Sequence, residues 1–177
     1  MSGRARGFDL EQLALVHTSL RRCEGLVAHS FRIPALPSQQ YPYELLTLAD
    51  LQGPERAEDA LAHLVIYERQ RRTKLEHLYR ICLQDDRILE RIGPQRGHDW
   101  LSALLVYILT HELVHVVRFQ RNEESFLADP ASRRPEEDRV HQLTLSLLEQ
   151  ARAPHWERLA ELHGNPVVPA QLVTAGP

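Results

Sequence analysis

Cysteine is nearly absent from this chain. Its only two cysteines, Cys23 and Cys82, lie far apart among apolar neighbours, and neither has the spacing of a zinc ligand. We therefore predict two buried, reduced thiols and no disulfide. With 177 residues, the chain is long enough to bury a core without such crosslinks. The expected organisation is one helical domain over 1–177, with flexible tails at 1–7 and 165–177.

A strong charge of either sign and a long apolar run are also missing. The formal net charge is −3, and the one basic cluster (Arg69, Arg71, Arg72 and Lys74) is expected to be a solvated helix face, so nucleic acid is excluded as a partner. No uncharged apolar run reaches the roughly 18 residues of a membrane span. The basic N-terminus continues into Phe8-Asp9-Leu10-Glu11, which predicts no signal peptide, no membrane association and a cytoplasmic location.

No segment alternates like a convincing β-strand, whereas apolar residues recur at three- and four-residue intervals over most of the chain. The sequence therefore predicts an all-α fold, a bundle of four to five helices around one buried helix with little or no sheet. The long predicted helix offers a surface for a homo-oligomer. Five helices are predicted, over 9–30, 54–92 (the long helix), 99–120 (the buried helix), 135–152 and 154–162. Between them we expect a connector at 31–53, with one helical turn near 44–51, and a loop at 122–135.

The run His-Glu-Leu-Val-His at 111–115 is the strongest chemical signal. Residues four apart share a helix face, so His111 and His115 can bind one divalent cation while Glu112 reaches a water beside it. The surrounding helix is apolar nearly all round, and burying these three polar groups is costly unless a cation satisfies them. The alternative is that each histidine donates to a backbone carbonyl and Glu112 pairs with Arg118.

A catalytic zinc ion usually has three protein ligands and one open position, so a third ligand is required. The helix that follows presents His141 and Glu137 on one face. His141 is the first choice, because a carboxylate at a helix start also suits the helix dipole, and Glu137 is the second. If all four residues bind the ion, the open position disappears and the site is structural.

The motif and the acidic helix about twenty residues later, with Glu136-Glu137-Asp138-Arg139, resemble the zincin metallopeptidases over roughly a quarter of the chain. The resemblance implies that His111 and His115 bind zinc, that Glu112 is the general base and that Glu137 is the third ligand, while His141 has no counterpart. It implies a zinc-dependent hydrolase whose substrate is unknown, a peptide being one candidate. Zincins also place a β-sheet beside the motif helix, and its edge strand holds the substrate in extended form.

Two other functions remain open from the sequence. A di-metal carboxylate bundle with iron or manganese would use Glu112-x-x-His115 and Asp138-x-x-His141, together with Glu68 and Glu24 on other helices. A non-catalytic helical protein stabilised by its metal would use the four-ligand set. For the hydrolase, Tyr107 and Arg118 are candidates to stabilise an oxyanion. The alternative for Tyr107 is a position in the core, and the alternative for Arg118 is a role as counter-ion to Glu112 or Glu137.

Overall fold

The computed structural model describes residues 6–71, 74–93, 97–123, 130–155 and 171–174. Within these ranges, helices and strands are mixed along the chain. They are α1 (Leu10–Phe31), β1 (Tyr43–Leu46), a 3-10 turn (Gly53–Glu55), β2 (Ala62–Arg71), β3 (Lys74–Leu83), α2 (Asp85–Ile92), α3 (His98–Gln120), α4 (Pro130–Gln150) and β4 (Gln171–Thr174).

The prediction of an all-α bundle with little or no sheet is wrong. Four strands form one mixed sheet in the order β1-β3-β2-β4. Strands β2 and β3 are antiparallel, whereas β1 is parallel to β3 and β4 is parallel to β2. The protein is therefore an α/β fold, and its helices pack on a sheet instead of only on one another.

The largest error concerns 54–92, where one long helix was expected. This segment contains the 3-10 turn, the paired strands β2 and β3, and the short helix α2. Strand β2 is buried on both faces: Leu64 and Ile66 point to one side and His63 and Val65 to the other, and all four are almost inaccessible. A strand with two buried faces shows no apolar–polar alternation, so its apolar residues can match a helical spacing by coincidence.

Strand β1 replaces the helical turn that was expected near 44–51. Its residues pair with β3, and Tyr43 lies opposite Tyr79. The Tyr43 hydroxyl donates a hydrogen bond to Glu24 of α1, which ties this edge of the sheet to the helix above it. These contacts join segments distant in sequence, so local pattern could not indicate them.

Helices α1 and α3 cover one face of the sheet. The prediction of the first helix is confirmed: the Asp9 side chain accepts from the Gln12 backbone N–H at 2.9 Å, and the Gln12 side chain accepts from the Asp9 N–H at 3.0 Å. The predicted buried helix is confirmed as α3, which begins at His98 after a Gly97 cap. These two helices and the sheet share one apolar core.

Helix α3 has the length and apolar composition of a membrane span, the only such helix among the described residues. Most of its residues are, however, buried inside the fold by other parts of the chain. This burial is expected of the central helix of a water-soluble protein.

The opposite face of the sheet is covered by the 3-10 turn and its neighbours. Glu55 is buried there, and its carboxylate accepts hydrogen bonds from the Tyr67 hydroxyl at 2.8 Å and from an Arg80 nitrogen at 2.7 Å. The His63 ring nitrogen Nε2 lies 3.0 Å from the Pro54 carbonyl oxygen. These contacts fix the turn to β2 and β3.

The remaining expectations have mixed outcomes. Both cysteines are free and buried, as predicted. Helix α4 begins at Pro130, five positions before the predicted start. In the predicted C-terminal tail, Gln171–Thr174 forms β4, whereas 1–5 and the rest of 165–177 lie outside the described residues, as does most of the predicted helix 154–162.

Candidate metal centre

The candidate site lies between α3 and α4, which run in opposite directions. His111 and His115 stand one turn apart on α3 and face α4 because residues four apart lie on the same side of a helix. Glu137, near the start of α4, lies opposite both imidazoles. A local helical motif therefore receives its third member from a different helix.

The three side chains bring three potential ligand atoms together. Nε2 of His111 and Nε2 of His115 are 3.2 Å apart, and they lie 3.3 Å and 3.2 Å from Oε2 of Glu137. With Zn–N of about 2.0 to 2.1 Å and Zn–O of about 2.0 to 2.2 Å, the edges of a tetrahedral site measure about 3.3 to 3.5 Å. The observed triangle has nearly this size, so His111, His115 and Glu137 could together hold one zinc ion.

The electrostatic surroundings keep the Glu137 carboxylate ionised. Burial alone would raise the pKa of Glu137, but the charge of His115 and hydrogen bonds from His111 and His115 hold that pKa well below its usual range. The side chains of His111 and Glu137 are 17% and 13% exposed, against 6% for His115. The site is therefore largely desolvated, but it is open to solvent on the side of His111.

The three clustered atoms suit either protons or a cation. Neutral rings protonated at Nε2 can both donate to the Glu137 carboxylate, whereas charging both rings would place two cations in contact. Nδ1 of His111 is also buried, and no hydrogen-bond partner for it is found among the described residues. A cation is the alternative occupant: it would face the two unprotonated Nε2 atoms and the carboxylate, and Nδ1 of His111 would then carry the proton.

Glu112 lies beside the first imidazole and is 7% exposed. Burial raises the pKa of the Tyr107 hydroxyl, and the charges of Glu112 and Glu137 raise it further, so all three groups share one electrostatic environment. Glu112 is thus a buried carboxylate beside the cluster of His111, His115 and Glu137 but is not a member of it.

His141, the first choice for the third ligand, does not join that cluster. Its Nδ1 lies 2.6 Å from the Tyr107 hydroxyl. Because α4 runs antiparallel to α3, moving four residues forward from Glu137 moves one turn back along α3, from His111 to Tyr107. The geometry therefore brings His111, His115 and Glu137 together and leaves His141 outside the cluster.

Arg118 is a counter-ion, but not to the residues we expected. Its guanidinium donates to Glu136 at 2.7 Å and to the Glu123 carboxylate at 3.1 Å. The expected pairing with Glu112 or Glu137 is absent from the contacts of this guanidinium. Arg118 therefore fixes α4 to the end of α3, and it is not directed at the site.

The arrangement required by a di-metal bundle is also not observed in the part of the chain that the structure describes. Glu68 lies on β2, where its carboxylate is 3.3 Å from the His77 ring. Glu24 on α1 accepts from the Tyr43 hydroxyl. Neither carboxylate belongs to the cluster around His111.

Neither a protein family, nor a curated protein, nor a solved structure matches this chain significantly.

Proposed function

We propose that this protein binds one zinc ion through His111, His115 and Glu137 and is a zinc-dependent hydrolase of zincin type. The proposal rests on one observation, the triangle of two Nε2 atoms and one Oε2 atom with sides of 3.2 to 3.3 Å. Three ligands instead of four favour catalysis over a closed structural site, since a tetrahedral ion then keeps one position for water.

In this proposal each residue has a defined task. A bound zinc ion lowers the pKa of its water and polarises a carbonyl group. Glu112, a buried carboxylate beside the first ligand, accepts a proton from the attacking water and passes it to the leaving amine. The ion would be held by His111, His115 and Glu137, and this fixes where the reaction takes place. The burial of His115 and Glu112 limits the access of bulk water to the site.

The sheet removes one objection to the zincin resemblance, because zincins place a sheet beside the motif helix. Helix α3 contacts β2, an inner strand of the sheet, and the edges of a sheet can in general bind extended peptides through backbone hydrogen bonds. A peptide or small amide is therefore the proposed substrate class. The proposal places the protein in a reducing, cytoplasmic compartment, in keeping with its two free buried thiols, and without a nucleic-acid or membrane partner.

The test combines metal analysis with one substitution. We expect the purified protein to hold about one zinc per chain, and Glu112→Gln to retain it while hydrolysis of a mixed quenched-fluorescence peptide library falls by roughly 100- to 10,000-fold. The control Glu149→Gln changes an exposed carboxylate on α4 and should leave both unchanged. Stoichiometric iron or manganese instead of zinc, or equal hydrolysis by Glu112→Gln, would contradict the proposal.

A further inference from the structure

The pair formed by Tyr107 and His141 lies one helical turn from the proposed ligands on both helices. Tyr107 precedes His111 by four residues on α3, and His141 follows Glu137 by four residues on α4. Their side chains meet with the Tyr107 oxygen 2.6 Å from Nδ1 of His141 and with their rings edge to face. The pair is therefore the next layer of the interface that contains the metal cluster.

This contact is short and buried. His141 is 4% exposed, so little water reaches its ring. A protonated hydroxyl 2.6 Å from an imidazole nitrogen forms a strong hydrogen bond, and losing it would leave a buried polar atom without this partner.

The contact also constrains the ligands themselves. Tyr107 packs near the His111 ring, with ring centroids 6.1 Å apart. On α4, Glu137 is the single member of the cluster, and it lies between two contacts to α3: the Tyr107–His141 hydrogen bond on one side and the Arg118–Glu136 ion pair on the other. The position of Glu137 relative to the imidazoles thus depends on how α4 is held against α3.

We propose that Tyr107 and His141 are positioning residues for the metal site, whose hydrogen bond fixes α4 on α3 so that Glu137 reaches both imidazoles. This inference rests on the proposed function, because it assumes that the cluster binds zinc. It assigns His141 a role other than that of a ligand. Residues that orient metal ligands typically change metal affinity by about 10- to 100-fold when they are substituted.

The test is a zinc titration against a chromophoric chelator with Tyr107→Phe, which removes the hydroxyl and keeps the ring. We expect the Kd for zinc to rise about 10- to 100-fold while the protein still binds one ion. The matched control is Tyr79→Phe, which removes another hydroxyl bonded to α3, through Gln120 at 3.1 Å, and should change Kd by less than about threefold. His141→Gln keeps a hydrogen-bond acceptor and should weaken zinc binding less than His141→Ala.

The outcomes separate the two hypotheses. An unchanged Kd in Tyr107→Phe, or equal weakening by Tyr79→Phe, would overturn the positioning role and leave the zinc site intact. Loss of stoichiometric zinc from both His141 variants, with normal binding by Tyr107→Phe, would make His141 a ligand and also overturn it. No zinc binding by the unsubstituted protein would overturn the proposed function and the positioning role together. Cobalt substitution adds a second readout, since a displaced Glu137 would change the visible absorption spectrum of the Tyr107→Phe protein.

Discussion

Replacing Glu137 by glutamine is expected to weaken zinc binding by at least about a hundredfold. Four-ligand zinc sites bind with about 10 to 16 kcal/mol, which corresponds to roughly 3 kcal/mol per ligand or about a hundredfold in Kd. Glu137 supplies the only carboxylate of the cluster and the only ligand from α4. The substitution keeps the shape of the side chain but removes the negative charge that faces the ion. Competition titration and metal analysis of the purified variant would measure the change.

The neighbouring glutamate provides the control for this prediction. Glu136→Gln alters the adjacent position of α4 and weakens the ion pair with Arg118, which helps to hold α4 on α3, but it removes none of the three clustered atoms. We expect it to retain one zinc per chain, with a smaller change in Kd than Glu137→Gln. Stoichiometric zinc of unchanged affinity in Glu137→Gln would remove Glu137 from the ligand set and return His141 to consideration.

Replacing Glu55 by alanine is expected to lower the free energy of unfolding by about 3 kcal/mol. Its carboxylate is only 3% exposed and accepts from the Tyr67 hydroxyl, from Arg80 and, at 2.9 Å, from the Gln52 backbone N–H. Alanine would leave these donors without their acceptor beneath the sheet. The loss should lie near the low end for buried pairs because the Arg80 side chain is 31% exposed. Urea unfolding, with both midpoint and slope compared, would measure it.

The same carboxylate predicts a pH dependence. Burial alone would raise the pKa of Glu55, but the hydrogen bonds from Gln52, Arg80 and Tyr67 hold it below its ordinary value of 4.5. A carboxyl whose native pKa is lowered stabilises the fold fully above its unfolded pKa, and this contribution is lost as the pH falls through the native pKa. The stability difference between the wild type and Glu55→Ala should therefore shrink below about pH 4.5.

Glu44 offers a matched comparison because it contacts the same guanidinium from the surface. Arg80 donates to Glu44 at 2.8 Å, but the Glu44 side chain is 48% exposed. Exposed ion pairs contribute about 0 to 1 kcal/mol, so Glu44→Gln should cost less than about 1 kcal/mol. Equal losses for Glu44→Gln and Glu55→Ala would contradict the structural role that we assign to the buried carboxylate.

The sequence predicted the part of the site that is local and failed where distant segments meet. His111 and His115 share a helix face by spacing alone, and an apolar helix around them could be recognised directly. The choice between Glu137 and His141 depended on how far α4 is shifted along α3. Both residues lie on one face of α4, so the spacing along the helix cannot distinguish them. Only the packing of α4 on α3 decides that Glu137 joins the cluster and that His141 contacts Tyr107.

The fold was less predictable for a related reason. Strands β2 and β3 contain many charged residues with good helix propensity, and their apolar residues point to both sides of the sheet. Strand β1 is only four residues long and is defined by its pairing with β3 across more than thirty positions of the chain. Sequence pattern reports the local environment of a segment, whereas these strands depend on partners elsewhere in the chain.

If the proposed site binds zinc, the central location of α3 links the occupancy of the site to the folding of the whole domain. The helix that carries His111 and His115 is also the one packed between α1, α4 and the sheet, so unfolding cannot spare the site. A ligand that binds only the native state adds RT ln(1 + [L]/Kd) to stability, about 2.7 kcal/mol at a hundredfold excess over Kd. Chelation should therefore lower the melting temperature of the whole domain, and a calorimeter would report the state of the site even before any substrate is known.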